Sequence, residues 1–183
     1  MTAEHLHLIL NHVPVLGMAL ALIPLVTGIL TKNRLVLLTG LILATVSTWM
    51  TGPVMGSGEE AYHRYLNGEV RPFLDAEVGE FLHIHEQRAE VWSKVMYTAA
   101  VLSLASLFFY FKKPKWVIRS SIALVVVGVF SVVSGIWIAE SGGKIRRVDF
   151  REQPEAATTA HPENEAYGVR ILSVPSMQEW YFS

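Results

Sequence analysis

The sequence predicts an all-α integral membrane protein: a four-helix bundle with a long outer loop and an extramembrane C-terminal tail. Hydrophobic residues make up 51% of the 183 residues, and the mean hydropathy is positive, which is too apolar for an ordinary soluble domain. The apolar residues collect in four stretches, and a helix needs about 20 such residues to cross a bilayer. Two of the three connections between these stretches are very short and basic.

The predicted spans cover about residues 6–31, 35–51, 81–111 and 116–139, so that residues 1–140 form the bundle. Span 1 lacks a basic leader and a small-residue cleavage site, and we expect a retained helix rather than a signal peptide. Pro14 and Pro24 should bend it. Span 2 carries Gly40, Ala44 and Ser47, small residues that favour close helix packing.

The two extramembrane segments have different compositions. Residues 52–80 are predicted to be the outer loop because Gly52, Pro53 and further glycines open it, with a short helix-like piece over 59–66. The tail, residues 141–183, mixes glycine, proline and charge. Its amphipathic end is expected to lie on the membrane or on a partner subunit.

The charges of the short loops predict the orientation. The first and last short loops carry only cations, namely Lys32, Arg34, Lys112, Lys113, Lys115 and Arg119. By the positive-inside rule both loops lie in the cytoplasm, with the N-terminus, the long loop and the tail outside. Trp49, Trp92 and Trp137 then form an outer interfacial belt. Four cations after span 4 argue the other way, but the short loops carry more weight.

Composition excludes several classes of function. The net charge of −1 gives no reason to expect nucleic acid. The absence of cysteine excludes disulfides, iron–sulfur clusters, thiolate zinc sites and covalent c-type haem. A redox centre would therefore be non-covalent haem or a site of histidine and carboxylate ligands. Hydrolase motifs such as Gly-x-Ser-x-Gly and His-Glu-x-x-His are also missing.

Six of the seven histidines fall at the start of span 1, in the long loop or at the start of span 3, all on the outer side of the predicted bundle, and histidine is the commonest metal ligand in proteins. With 1.5 Å per residue, His7 lies roughly 35 Å and His85 roughly 39 Å above the inner boundary, whereas His12 lies roughly 27 Å above it. His5 and His83 match the height of the first two. His63 lies in the loop, where a histidine is usually only solvated.

Helix geometry also separates the histidines by face. Residues i and i+7 share a face of a helix, whereas i and i+2 do not. His5 and His12 therefore share one face, and His7 and Asn11 lie on another. At most about half of the histidines can converge on one pocket. His12 draws attention because a polar group at the edge of an apolar span is costly without a partner.

Three hypotheses from different classes follow. The first is a b-type cytochrome-like electron-transfer subunit, in which histidines from spans 1 and 3 ligate haem b and Arg88 pairs with a propionate. Its partners would be quinone and other membrane or periplasmic redox subunits. The second is a site for a divalent transition metal, with ligands from His7, His12, His83, His85 and Glu86. The third is a cofactor-free structural subunit of a larger complex.

Three short motifs carry a family resemblance: "HLHLILNHVPVLG" at 5–17, "GSGEEAYHRY" at 56–65 and "IHEQRAEVW" at 84–92. They resemble a broad family of small, uncharacterised bacterial four-helix membrane proteins with Asn-His-x-Pro and His-Glu steps. The resemblance covers about residues 5–112. It implies this fold and a site rather than a reaction. Together with the charges of the short loops, it leads us to expect a multi-pass protein of the bacterial inner membrane with periplasmic termini.

The resemblance also ranks the candidate ligands. It falls on Asn11 and His12 in span 1 and on His85 and Glu86 in span 3. We therefore expect His12 and His85 to be the first ligands and His7 the next. This order goes against the estimated heights, which match His7 rather than His12 to His85.

Overall fold

The computed structural model describes residues 2–69, 78–147 and 150–151, and every structural statement below concerns these residues. They are helical, without strands. The helices are α1 (Ala3–Leu10), α2 (Val13–Thr31), α3 (Arg34–Trp49), α4 (Thr51–Leu66), α5 (Val78–Lys112) and α6 (Pro114–Arg146). With α1 and α2 taken together, and α3 and α4 likewise, four helices are long and apolar enough to cross a membrane.

Two prolines explain why the first two long helices are interrupted. Pro14 has no N–H to donate to the Leu10 carbonyl, and its ring crowds that carbonyl, so α1 ends at Leu10. Pro53 stands in the same relation to Trp49, the last residue of α3. Helical hydrogen bonding resumes directly after each break, because Leu16 N donates to the carbonyl of His12 at 2.9 Å and Val54 N donates to that of Met50 at 3.1 Å.

Tight turns join the helices at one end of the bundle. Lys32 closes α2 with a left-handed backbone at φ 55°, and the Asn33 side chain then accepts from the amides of Leu35 and Val36 to begin α3. Pro114 opens α6, where its missing N–H costs nothing. These turns make α2 and α3 antiparallel neighbours, and α5 and α6 likewise.

The helices form a ring in which each one packs on two neighbours. Helix α2 packs on α3 and α6, and α5 packs on α6 and α3. Above the two breaks α1 packs on α4, and α4 packs on α5. The α1–α2 rod and α5 therefore stand on opposite corners of the ring, as do the α3–α4 rod and α6.

Small residues hold α2 and α3 at short distance. A methyl group on Gly28 would lie 2.5 Å from the backbone nitrogen of Leu37, and one on Gly40 would lie 2.7 Å from that of Leu25. Only glycine permits this approach. The core built on this contact comprises Met18, Ala21, Leu25, Leu37, Leu41, Ala44, Ala99, Val117 and Leu124.

The distribution of residue types is inverted relative to a soluble bundle. Large apolar side chains such as Leu20, Ile23 and Val101 are more than 60% exposed. The interior instead contains many hydroxyl residues, namely Ser47, Thr48, Thr51, Ser57, Ser93, Ser103, Ser106, Ser121, Ser131, Ser134 and Ser141. Small and hydroxylated residues at helix contacts, with large apolar residues outside, are typical of helices packed in lipid.

The structure corrects the predicted boundaries. The prediction of a loop is wrong over residues 52–58, which belong to α4, whereas the helix-like piece predicted over 59–66 forms the rest of that helix. Helix α5 begins at Val78 rather than at 81, and α6 continues to Arg146, seven residues past the predicted span. The predicted loop residues 70–77 and the tail residues 148–149 and 152–183 lie outside the described residues.

Candidate functional site

Two histidines face each other across the interior of the bundle, one from α1 and one from α5. The ring centroids of His7 and His85 lie 6.4 Å apart, with the ring planes at 85°. Both side chains are half-buried. Because α1 and α5 belong to opposite corners of the ring, the pair spans the bundle from one side to the other.

A backbone carbonyl of a neighbouring helix anchors each ring. His7 Nδ1 donates to the Val54 carbonyl oxygen of α4 at 3.0 Å, and His85 Nδ1 donates to the Ile138 carbonyl oxygen of α6 at 3.0 Å. Since a carbonyl oxygen only accepts, Nδ1 carries a proton in both rings, and Nε2 is the nitrogen through which a neutral ring would bind a metal. An imidazole held in this way by its other nitrogen is the form that ligates metals.

A glycine lies against each of the two rings. A methyl group on Gly58 would come within 2.9 Å of His7 Cε1 and Nδ1, and one on Gly142 would come within 3.1 Å of His85 Cε1. Both helices therefore pass the imidazoles at a distance that a larger residue does not allow. The two glycines on α4 and α6 shape the space in which the rings stand.

A hydroxyl adds to the anchoring of His85. Ser141 Oγ lies 3.1 Å from His85 Nδ1 and donates to the Ile138 carbonyl at 2.7 Å. Ser141 is itself buried. The Nδ1–H of His85 thus points at two oxygen atoms, which fixes the direction of its Nε2 lone pair.

Arg88, a predicted site residue, lies one turn after His85 on α5 and is partly buried. Its Nη1 donates to the Trp137 carbonyl at 3.0 Å and to Glu140 Oε2 at 3.5 Å, and its guanidinium carbon lies 4.2 Å from the Trp137 ring centroid. Glu140 also pairs with Lys144 at 3.0 Å. The described contacts of Arg88 are therefore with α6.

His12, the first-ranked ligand from the sequence, is at the surface. Its ring is exposed at the α1–α2 break, and its Nδ1 forms a hydrogen bond with Oδ1 of the half-buried Asn11. The structure brings His85 together with His7 instead. The reason is the helix face: His7 turns inward, while His12 and His5 turn outward.

The other predicted residues take separate places. His83 is exposed, and both of its nitrogens are engaged: Nδ1 with the Tyr62 hydroxyl at 3.1 Å and Nε2 with the Gln87 amide at 3.0 Å. Glu86 is half-buried. His63 is exposed, 3.9 Å from Glu59. His161 lies outside the described residues.

The paired rings have a spacing suited to a shared metal. Each metal–nitrogen bond to histidine is about 2 Å long, so two imidazoles that ligate one ion from opposite sides have centroids about 6 Å apart. The observed distance is 6.4 Å. Among residues 2–69, 78–147 and 150–151 there is no group of three or more histidine and acidic side chains that could hold an ion.

Sequence reasoning missed several parts of this arrangement. The carbonyls of Val54 and Ile138 carry no side-chain signal, and Ser141 and Gly142 had been assigned to the tail. The estimated heights of His7 and His85 were the signal that could have identified the pair. Comparison with protein-family models, with curated proteins and with solved structures found no match to this chain.

Proposed function

We propose that the chain is a membrane-embedded, b-type cytochrome-like electron-transfer protein whose haem is held by His7 and His85. The observation that carries the proposal is the opposed pair of imidazoles at 6.4 Å, each with Nδ1 hydrogen-bonded to a backbone carbonyl. This pair replaces the combination of His12 and His85 that the sequence favoured.

The inverted surface supports placement in a bilayer. Four helices have sufficient length and hydropathy to cross it, and large apolar residues occupy their outer faces. In water such a surface would aggregate, whereas lipid chains solvate it. The cations of the two short turns support a cytoplasmic position for that end, which puts the histidine pair near the opposite, periplasmic face.

The number of ligands favours haem over a bare metal ion. Zinc and similar ions in proteins take three or four protein ligands, and no group of three or more histidine and acidic side chains lies together among the described residues. A haem brings most of its ligands with it and would need two from the protein, which His7 and His85 would supply.

Each residue has a defined task in this proposal. A bound haem would supply one-electron transfer. His7 and His85 would hold it through Nε2, and their carbonyl partners would raise the basicity of the rings. Ser141 adds a second acceptor for His85. Arg88 is placed to pair with a propionate, since its two hydrogen bonds use only Nη1 of a guanidinium with five donors.

The partners proposed for such a protein are a membrane quinol and a periplasmic electron carrier. The Trp92 and Trp137 rings are in edge contact at 5.5 Å, on the same two helices as His85 and its carbonyl anchor. An acceptor that docks at this end would therefore meet aromatic residues and the charges of Arg88 and Glu140. No reaction beyond electron transfer is required of the chain itself.

An optical spectrum of the purified full-length protein tests the proposal. We expect one haem per chain and a reduced-minus-oxidised α-band. His7→Ala and His85→Ala should each abolish the six-coordinate spectrum. The matched controls are His12→Ala, just beyond the end of α1, and His83→Ala on α5. Each removes an exposed histidine and should leave the spectrum unchanged.

Three outcomes would contradict the proposal in different ways. Haem bound equally well by His7→Ala and the parent protein would exclude this ligand pair. About one equivalent of transition metal without haem would favour the histidine and carboxylate site. Protein free of both haem and metal, in a complex that stays active after both rings are replaced, would favour the structural subunit.

A further inference from the structure

The end of the bundle far from the histidine pair carries an unbalanced positive charge. Its two turns hold Lys32, Arg34, Lys112, Lys113, Lys115 and Arg119. The sequence contains no aspartate or glutamate between Glu4 and Glu59 or between Glu90 and Glu140. The cations of the turns therefore have no carboxylate within their own segments, and a negative partner must come from elsewhere.

A cavity opens between these turns. It has a volume of about 310 Å³ and lies between the α2–α3 turn and the start of α6. Lys32 and Arg34 are its exposed cations, and its walls include Leu37, Tyr110 and Val117. We call it the basic cleft. It combines an apolar interior with positive charge.

A second cavity adjoins the basic cleft through a shared wall residue. It has a volume of about 440 Å³ and is lined by Lys112, Lys113, Pro114, Lys115 and Trp116, and Pro114 lines both cavities. Trp116 is 44% exposed, as expected of an indole at a membrane interface. The two cavities together present five cations, from Lys32 to Lys115, around one proline.

Large apolar side chains continue from the basic cleft along the outside of the bundle. Leu30, Leu35 and Phe111 are 76%, 71% and 64% exposed. A soluble anion makes no favourable contact with such a surface. A phospholipid does so at both ends, because its phosphate pairs with cations while its acyl chains pack on apolar side chains.

We propose that the basic cleft binds the headgroup of an anionic phospholipid. The phosphate lies between Lys32 and Arg34, and the acyl chains follow the exposed apolar residues of α2, α3 and α5. Arg34 already stacks on Tyr110 with its guanidinium carbon 5.0 Å from the ring centroid, which holds its charge at the cleft. This site is separate from the histidine pair and does not depend on haem.

Native mass spectrometry of the purified full-length chain tests this site. The probes are dioleoylphosphatidylglycerol and dioleoylphosphatidylcholine, added at equal concentration in mixed micelles. We expect the parent protein to retain phosphatidylglycerol over phosphatidylcholine. Each basic residue near an anionic lipid surface contributes a similar amount to the free energy of binding. The double variant Lys32→Gln/Arg34→Gln should therefore weaken phosphatidylglycerol binding about thirtyfold.

Lys94→Gln/Arg146→Gln is the matched control, since it removes two cations outside the turns and should leave retention unchanged. If the double variant Lys32→Gln/Arg34→Gln melts at a lower temperature than the parent protein, the single variant Lys32→Gln replaces it. That variant should weaken phosphatidylglycerol binding about fivefold. Equal retention of the two lipids by the parent protein, or unchanged phosphatidylglycerol binding by the cleft variants, would overturn the proposal. Displacement of the lipid by millimolar inorganic phosphate would overturn its assignment to a phospholipid.

Discussion

Replacement of Gly58 by alanine places a methyl group against the His7 ring. The new Cβ would lie 2.9 Å from both Cε1 and Nδ1 of His7, whereas ordinary contacts begin at 3.4 Å. The ring must therefore move by about 0.5 Å or α4 must withdraw. Either response strains the hydrogen bond from His7 Nδ1 to Val54, which lies on the same helix as Gly58.

Gly56 on the same helix provides the control. A methyl group there meets nothing within 4 Å. Alanine is favoured over glycine in a helix interior by about 1 kcal/mol, so this effect stabilises both variants equally. Only Gly58→Ala is also overpacked, which lowers the free energy of unfolding by about 1–3 kcal/mol. We expect Gly58→Ala to be less stable than Gly56→Ala by this amount, or by about 2–12 °C in melting temperature.

The assay compares the two variants in detergent by thermal unfolding and by the haem spectrum per chain. The proposed ligation by His7 predicts a weaker or shifted α-band for Gly58→Ala alone. Equal melting temperatures would refute the contact between Gly58 and the ring. A lower melting temperature with an unchanged spectrum would instead refute ligation by His7 and leave the packing intact.

Two further predictions concern contacts around the site. Ser141→Ala removes one acceptor of the His85 Nδ1–H, which would make the ring a weaker donor to ferric iron in the proposed cytochrome. The midpoint potential should therefore rise in a redox titration, and an unchanged or lower potential would contradict this. The ion pair of Glu4 and Arg64 joins α1 to α4 at 2.8 Å, with side chains 27% and 30% exposed. A double-mutant cycle with Glu4→Gln and Arg64→Gln should give a coupling energy of about 1 kcal/mol or less that falls with added salt. A larger, salt-independent coupling energy would mean that the pair is shielded from solvent.

Sequence patterns predicted the four long helices because apolar length is a strong signal. They failed over residues 52–58, where Gly52, Pro53 and Gly58 indicated a loop. In the structure Pro53 stands in the first turn of α4, where its missing N–H is harmless, and Gly58 serves a close contact with His7. A glycine that permits close approach looks the same in sequence as one that breaks a helix.

For the candidate site, rise per residue and helix face predicted which histidine rings lie near each other. Heights of roughly 35 and 39 Å paired His7 with His85, and these are the two rings in contact. The face assignment separated His7 from His12, and His12 is exposed. The hydrogen bonds of the two rings to the Val54 and Ile138 carbonyls depend on which helices are neighbours. The sequence of a single helix does not contain this information. The family resemblance itself stays a prediction.

The proline break between α1 and α2 has a consequence for how the protein is assembled. Among the described residues α1 packs chiefly on α4, so it can detach at a cost well below that of unfolding the bundle. In the proposed cytochrome, a rigid haem would have to enter while the ring of helices is still open. A ligand carried on the separate eight-residue helix α1 would let the other helices pack first and α1 close on the haem last.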